Sequence, residues 1–105
     1  MNINHFSYFI ETVRENSITR AAESLFISQS TISKAIKNLE QTYNTELIDR
    51  KARKFKLTSA GEIFYNSAVK IVSNYQAETE VLATLLHSQR GKLILGIPPV
   101  TVTVI

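Results

Sequence analysis

The chain has 105 residues, 44% of them hydrophobic and 20% charged, which is the composition of a small globular protein and excludes a disordered one. It has no Cys, which excludes disulfides, thiolate metal sites and a Cys nucleophile. The net charge of +3 is unevenly placed: residues 1–61 carry nine Lys/Arg against six Asp/Glu, whereas residues 62–105 carry three of each. Seven of the twelve basic residues lie between Lys34 and Lys56, a clustering that points to a polyanionic partner.

The N-terminal stretch MNINHFSYFIETVREN carries Glu11 and Glu15 and lacks the basic start and continuous apolar run of a signal peptide. No segment reads as a bilayer span, and a cytoplasmic protein is expected. Phe6, Phe9, Ile10 and Val13 keep the spacing of a helix with one buried face. Asn16 can turn left-handed and Ser17 can cap the next helix. That second helix carries Ile18, Ala21, Ala22 and Leu25, its paired alanines suiting close approach by another helix. Phe26-Ile27 is a short connection, and Ser28 caps a third helix that buries Ile32, Ala35, Ile36, Leu39 and Tyr43 and ends near Asn44.

Two short helices joined by a tight turn make a helix-turn-helix pattern. Opposite the apolar stripe of the third helix lie Ser30, Lys34, Lys37 and Gln41, with Gln29, Thr31 and Ser33 near its tip or edges. Short polar groups at the tip let a helix enter a groove. Gln can bond adenine, Ser and Thr can bond base edges or phosphate, and Lys can reach guanine or phosphate. Capping alone explains Ser28, but not two lysines on the outer face.

Leu47-Ile48 and Phe55-Lys56-Leu57 read as two short strands, with Phe55 and Leu57 inward. Arg50, Lys51, Arg53 and Lys54 crowd their connection, as in a basic wing aimed at a minor groove. For Arg50 an ion pair with Glu46 or Asp49 that serves the fold is the competing reading. A long helix begins at Thr58 or Ser59. Along it Phe64, Ala68, Ile71, Tyr75, Leu82 and Leu85 form an apolar stripe, widened by Val72, Val81 and Leu86, suited to pairing with a second copy and to packing on the first helix, with an intramolecular core as the competing reading. Arg90-Gly91 ends the helix, and Lys92 to Ile97 reads as a strand.

His5 and His87 have no accompanying ligand cluster, no nucleophile elbow or phosphate loop is present, and neither a catalytic nor a metal site is expected. No cofactor is implied. The tyrosines sit at helical spacings that suit core or interface positions.

The segments FxYFxxTVRENSITRAAESLFISQSTISKAIKNLEQ and ELIDRKARKFKLTSAGE resemble the LysR-type transcriptional regulators over roughly residues 3–65. The resemblance implies a mainly α fold: a winged helix-turn-helix of three helices plus a two-stranded wing, followed by a long dimerisation linker helix. It implies domains at 1–58 and 59–90, with 91–105 the first strand and stub of a two-lobed effector-binding domain. It also implies binding, as a dimer or tetramer, to interrupted inverted repeats of double-stranded DNA near promoters. A small-molecule effector would act only through the C-terminal domain. Carried over by position, DNA contacts fall on Gln29, Ser30, Thr31, Ser33, Lys34 and Lys37, and on Arg50, Arg53 and Lys54 in the wing. Asn44 and Ile48 depart from the family's usual Gly and Phe, away from the reading face. Two alternatives stand beside this reading: a dimeric protein-interaction module whose basic patch binds an acidic protein, and a winged-helix repressor of another family.

Overall fold

The computed structural model describes residues 2–94. Its four helices, in chain order, are α1 (Ile3–Glu15), α2 (Ile18–Leu25), α3 (Gln29–Thr42) and α4 (Ser59–Ile94). The helix starts are set by side-chain caps. Asn2 accepts from the Asn4 amide at 2.9 Å, Ser17 from Arg20 at 3.1 Å and Ser28 from Thr31 at 3.2 Å. The ends are set by left-handed residues: Asn16 (φ 55°), Phe26 (φ 58°) and, one residue past the α3 cap, Asn44 (φ 51°). Tyr43 caps α3 and is half-exposed, not buried as its spacing suggests. The helix ends one residue earlier, and the ring turns to Phe64 at 5.2 Å between centroids.

Phe26 is the costly one of the three. Asn tolerates a left-handed backbone, whereas an aromatic side chain there crowds the following carbonyl, at roughly 1–2 kcal/mol. The ring is 94% exposed, so little packing offsets that cost. Phe26→Asn is therefore expected to stabilise the chain by about 1 kcal/mol, raising Tm by roughly 4–8 °C in a calorimetric scan. A lower Tm would mean that the ring makes contacts that matter.

The residues up to Val72 pack as one unit. Its core joins Phe6, Phe9 and Ile10 of α1, Ala21 and Ala22 of α2, and Ile32, Ile36 and Leu39 of α3. Leu47, Ile48 and Ala68 of the later segments complete it. Each of the large side chains contributes about 2–3 kcal/mol by leaving water. The paired alanines are buried, as close helix contact requires. Thr12 is also fully buried, and its hydroxyl donates to the Tyr8 carbonyl at 2.8 Å, so no polar group is stranded there.

The two-stranded wing is reduced to a single antiparallel bridge between Ile48 and Leu57. The Asp49 amide donates to Lys56 O at 2.9 Å, and the Thr58 amide to Leu47 O at 3.0 Å. The reason is local. Leu47 and Ile48 are adjacent and both buried, whereas a pleated strand sends neighbours to opposite faces. The second arm does alternate, with Phe55 and Leu57 half-buried and Lys56 exposed.

Thr58 supplies the α4 cap, accepting from the Gly61 amide at 2.9 Å through its hydroxyl. The same hydroxyl donates to Glu46 O at 2.6 Å, tying the helix start to the first wing arm. At the other end α4 runs through Gly91 to Ile94, so the first three residues of the expected strand are helical. Among the described residues no strand pairs with this segment, and a helix satisfies its amides internally. The rest of that strand, and the residues up to 105, lie outside the described residues. The described residues from Ser73 onward form a second unit, helical throughout, with Tyr75, Val81, Leu82 and Leu86 exposed. No helix of the described residues is long and apolar enough to cross a membrane.

Candidate nucleic-acid interface

The site is built on α3. Ile32, Ala35, Ile36 and Leu39 fix one face in the core, each at most 3% exposed. That burial sets the rotation of the helix and turns the other face outward. Gln29, Ser30, Thr31, Lys34 and Lys37 are exposed there, and Ser33 is half-buried at the edge. The hydroxyls at the tip form a cluster: Ser28 Oγ lies 3.2 Å from Ser30 Oγ and 2.8 Å from Thr31 Oγ1. Each keeps lone pairs or a proton for an outside partner. The first-turn amides, of which the Ser28 cap takes that of Thr31, add a partial positive charge.

Among the described residues the only ion pair joins Arg50 to Glu40, so Lys34, Lys37, Arg53 and Lys54 carry uncompensated charge. Arg53 and Lys54 are exposed in the turn between the wing arms. Asp49 shapes that turn, its Oδ1 accepting from the Lys51 amide at 3.0 Å.

Arg50 differs from the other basic residues. Its Nη1 lies 2.9 Å from Glu40 Oε2, and neither Glu46 nor Asp49 is its partner. The acceptor comes from ten residues upstream, on α3, which sequence proximity does not reveal. Glu40 Oε2 also accepts from the Leu47 amide at 2.8 Å and from Ile48 at 3.4 Å. Burial by itself raises the Glu40 pKa. The Arg50 hydrogen bond, the two amides and the Arg50 charge outweigh it, and the net direction is down. The carboxylate is thus ionised at neutral pH.

The stripe assigned to pairing divides in two. Ala68 is fully buried within this chain, and Phe64 stacks on Phe6 at 5.6 Å and meets Phe9 edge-on at 5.4 Å. Ile71, Tyr75 and Leu82 are exposed, and Leu85 is half-buried. Ile63, which the heptad spacing passes over, is 70% exposed. With Phe6, Tyr43, Leu47, Phe64 and Ile71 it lines an apolar groove of about 390 Å³.

The chain is similar to known transcriptional regulators. The chain is 39% identical over 97 residues to the HTH-type transcriptional regulator BudR of Klebsiella aerogenes, covering 92% of this chain and 68% of that protein. It is 42% identical over 94 residues to a probable RuBisCO transcriptional regulator of Cyanidioschyzon merolae, covering 90% of this chain and 31% of that protein. The chain thus spans about a third of the length of that relative. Among solved structures, the complex of the BenM DNA-binding domain with catB site 1 DNA superposes with a TM-score of 0.75 at 35% identity, over 82% of this chain and 96% of that one. Residues 3–62 match the bacterial regulatory helix-turn-helix proteins of the lysR family, more than half of the chain, a stretch that includes α1, α2 and α3. The chain belongs to the LysR family of regulatory helix-turn-helix proteins.

Proposed function

We propose that this chain is the sequence-specific, double-stranded DNA-binding part of a LysR-type transcriptional regulator. The carrying observation is the outer face of α3, where Gln29, Ser30, Thr31, Lys34 and Lys37 stand exposed on a helix whose other face is locked in the core. In this reading α3 enters the major groove and reads base edges, with Ser33 at its margin. Arg53 and Lys54 reach the phosphates or the minor groove. Arg50 supports the turn from within. The BenM DNA complex supports the reading, since its fold is shared at 35% identity.

Residues 1–58 would bind DNA and 59–90 would link and pair two chains. Ile63 and Ile71 in the first unit, and Tyr75, Leu82 and Leu85 in the second, would each offer apolar side chains to a second copy, whereas Phe64 and Ala68 pack within the first unit. Two paired modules would read an interrupted inverted repeat near a promoter, as a dimer or tetramer. Effector sensing would belong to a further C-terminal domain. The work is done in the cytoplasm, beside the chromosome, and involves no catalytic step.

The test is recovery and sequencing of sheared genomic DNA held by the purified chain near physiological salt. One interrupted inverted repeat should be enriched. Gln29→Ala or Lys34→Ala should change base preference at defined positions, at about 1–3 kcal/mol each, and Arg53→Ala should weaken all sequences alike. The logarithm of affinity should fall with that of salt at about −0.9 per phosphate contacted. Unaltered binding by the triple variant would overturn the site.

A further inference from the structure

Glu40 stands where a helix does not favour it. It is the third residue from the end of α3, near the electronegative terminus, where Lys or Arg would be the local choice. Its contacts explain the exception. One carboxylate oxygen gathers the Leu47 and Ile48 amides and the Arg50 guanidinium. The main-chain carbonyl of Glu40 accepts a further bond, from the Thr45 amide at 3.0 Å. Arg50 Nη1 also donates to Ile48 O at 3.4 Å, closing a ring of contacts around the first wing arm. That arm is joined to the second through Asp49 and Lys56, and Arg53 lies in the turn between them. The Glu40 side chain is 13% exposed and the Arg50 side chain 45%, so the pair is shielded on the acid side and wetter on the other.

Burial of Leu47 and Ile48 anchors the base of the arm but leaves open how the chain leaves it. The wing has one bridge in place of a ladder, so its own hydrogen bonds hold the turn weakly. The strongest polar tether from this turn runs to the helix that carries the reading face.

We infer that Glu40 is a positioning residue for DNA binding: without touching DNA, it fixes the basic turn at 51–54 against α3, so that Arg53 and the α3 side chains engage one duplex together. Arg50 is the second half of the same device. The inference rests on the reading of α3 and the turn as the two DNA-contacting surfaces.

The experiment is a pair of double-mutant cycles, read as Kd by fluorescence anisotropy. The probe is a labelled duplex carrying the genomic fragment most enriched by the unmutated chain. Glu40→Gln, Arg53→Ala and Lys34→Ala are each expected to weaken binding about tenfold. Combined with Arg53→Ala, Glu40→Gln should add only the small share that Lys54 carries, because a released turn has already lost the Arg53 contact. Combined with Lys34→Ala it should multiply, to about a hundredfold, because α3 still reads the groove. A purely structural loss would weaken both backgrounds equally. Equal multiplication in the two cycles, or unchanged binding by Glu40→Gln alone, overturns the inference and leaves the DNA-contact assignment standing. Unchanged binding by Arg53→Ala overturns the assignment of the turn, and the inference with it. Arg50→Gln keeps both amides bonded to Glu40 and should show the same selectivity. If Glu40→Gln does not fold, the Arg50→Gln cycles decide on the same criteria.

Discussion

Gly61→Ala is expected to destabilise the chain by about 3 kcal/mol, a drop in Tm on the order of 15 °C. Helix propensity argues for the opposite sign, since Ala is favoured over Gly by about 1 kcal/mol in a helix. The packing decides. A Cβ on Gly61 would lie inside contact distance of the Leu47 carbonyl oxygen and 3.2 Å from the Leu57 Cβ. The first obstacle is backbone, not the free end of a side chain. It is also the oxygen that accepts the Thr58 amide, so it cannot withdraw without breaking the junction of wing and α4. Either α4 moves outward or the first wing arm does, and both movements open the core at Leu47 and Ile48. Thermal unfolding of the variant measures this, and a raised Tm would show that propensity wins and the junction is loose.

Phe64→Ala is expected to cost about 3–5 kcal/mol. The ring sits among three others, stacked on Phe6 and edge-on to Phe9 and Tyr43. Such pairs add roughly 0.5–1.5 kcal/mol each beyond the area they bury. The loss should be largely independent of protein concentration, because these partners are in the same chain. Leu82→Ala gives the contrast. Its side chain is 55% exposed in the single chain, so the variant should unfold at nearly the same denaturant concentration when dilute. It should instead shift the monomer–dimer equilibrium toward monomer in sedimentation equilibrium. If Phe64→Ala shifted only that equilibrium and left the unfolding midpoint in place, Phe64 would belong to the pairing surface after all.

The different fates of Phe64 and Leu82 show what sequence periodicity can and cannot say. Spacing puts both on one stripe of one helix. It does not say where the chain's own core ends, and that limit is set by how far α1 and the wing reach along α4. The three short helices were legible because each carries its own start and stop: Ser17 and Ser28 as caps, Asn16 and Asn44 as left-handed ends. The exposed face of α3 was legible for the same reason, since a helix with a marked apolar stripe has a defined opposite side. The wing was less so. Two adjacent apolar residues, Leu47 and Ile48, read as the start of a strand, and only the core around them turns both inward. Glu40 left no local trace, because its partners lie seven to ten residues further on. The one hint was a negative charge near the wrong end of a helix.

The exposed Val81, Leu82 and Leu86 of α4 bear on how much protein the reading needs. If a second copy covers these residues, as proposed, the order of that part of the helix is subject to mass action. At low copy number in a cell, the free chains would be mostly single, with this segment marginal. On the proposed reading, an inverted repeat that holds two modules side by side would supply the missing concentration locally. The DNA would then complete the protein's own structure, and occupancy would rise more steeply with copy number than a single-chain binder allows.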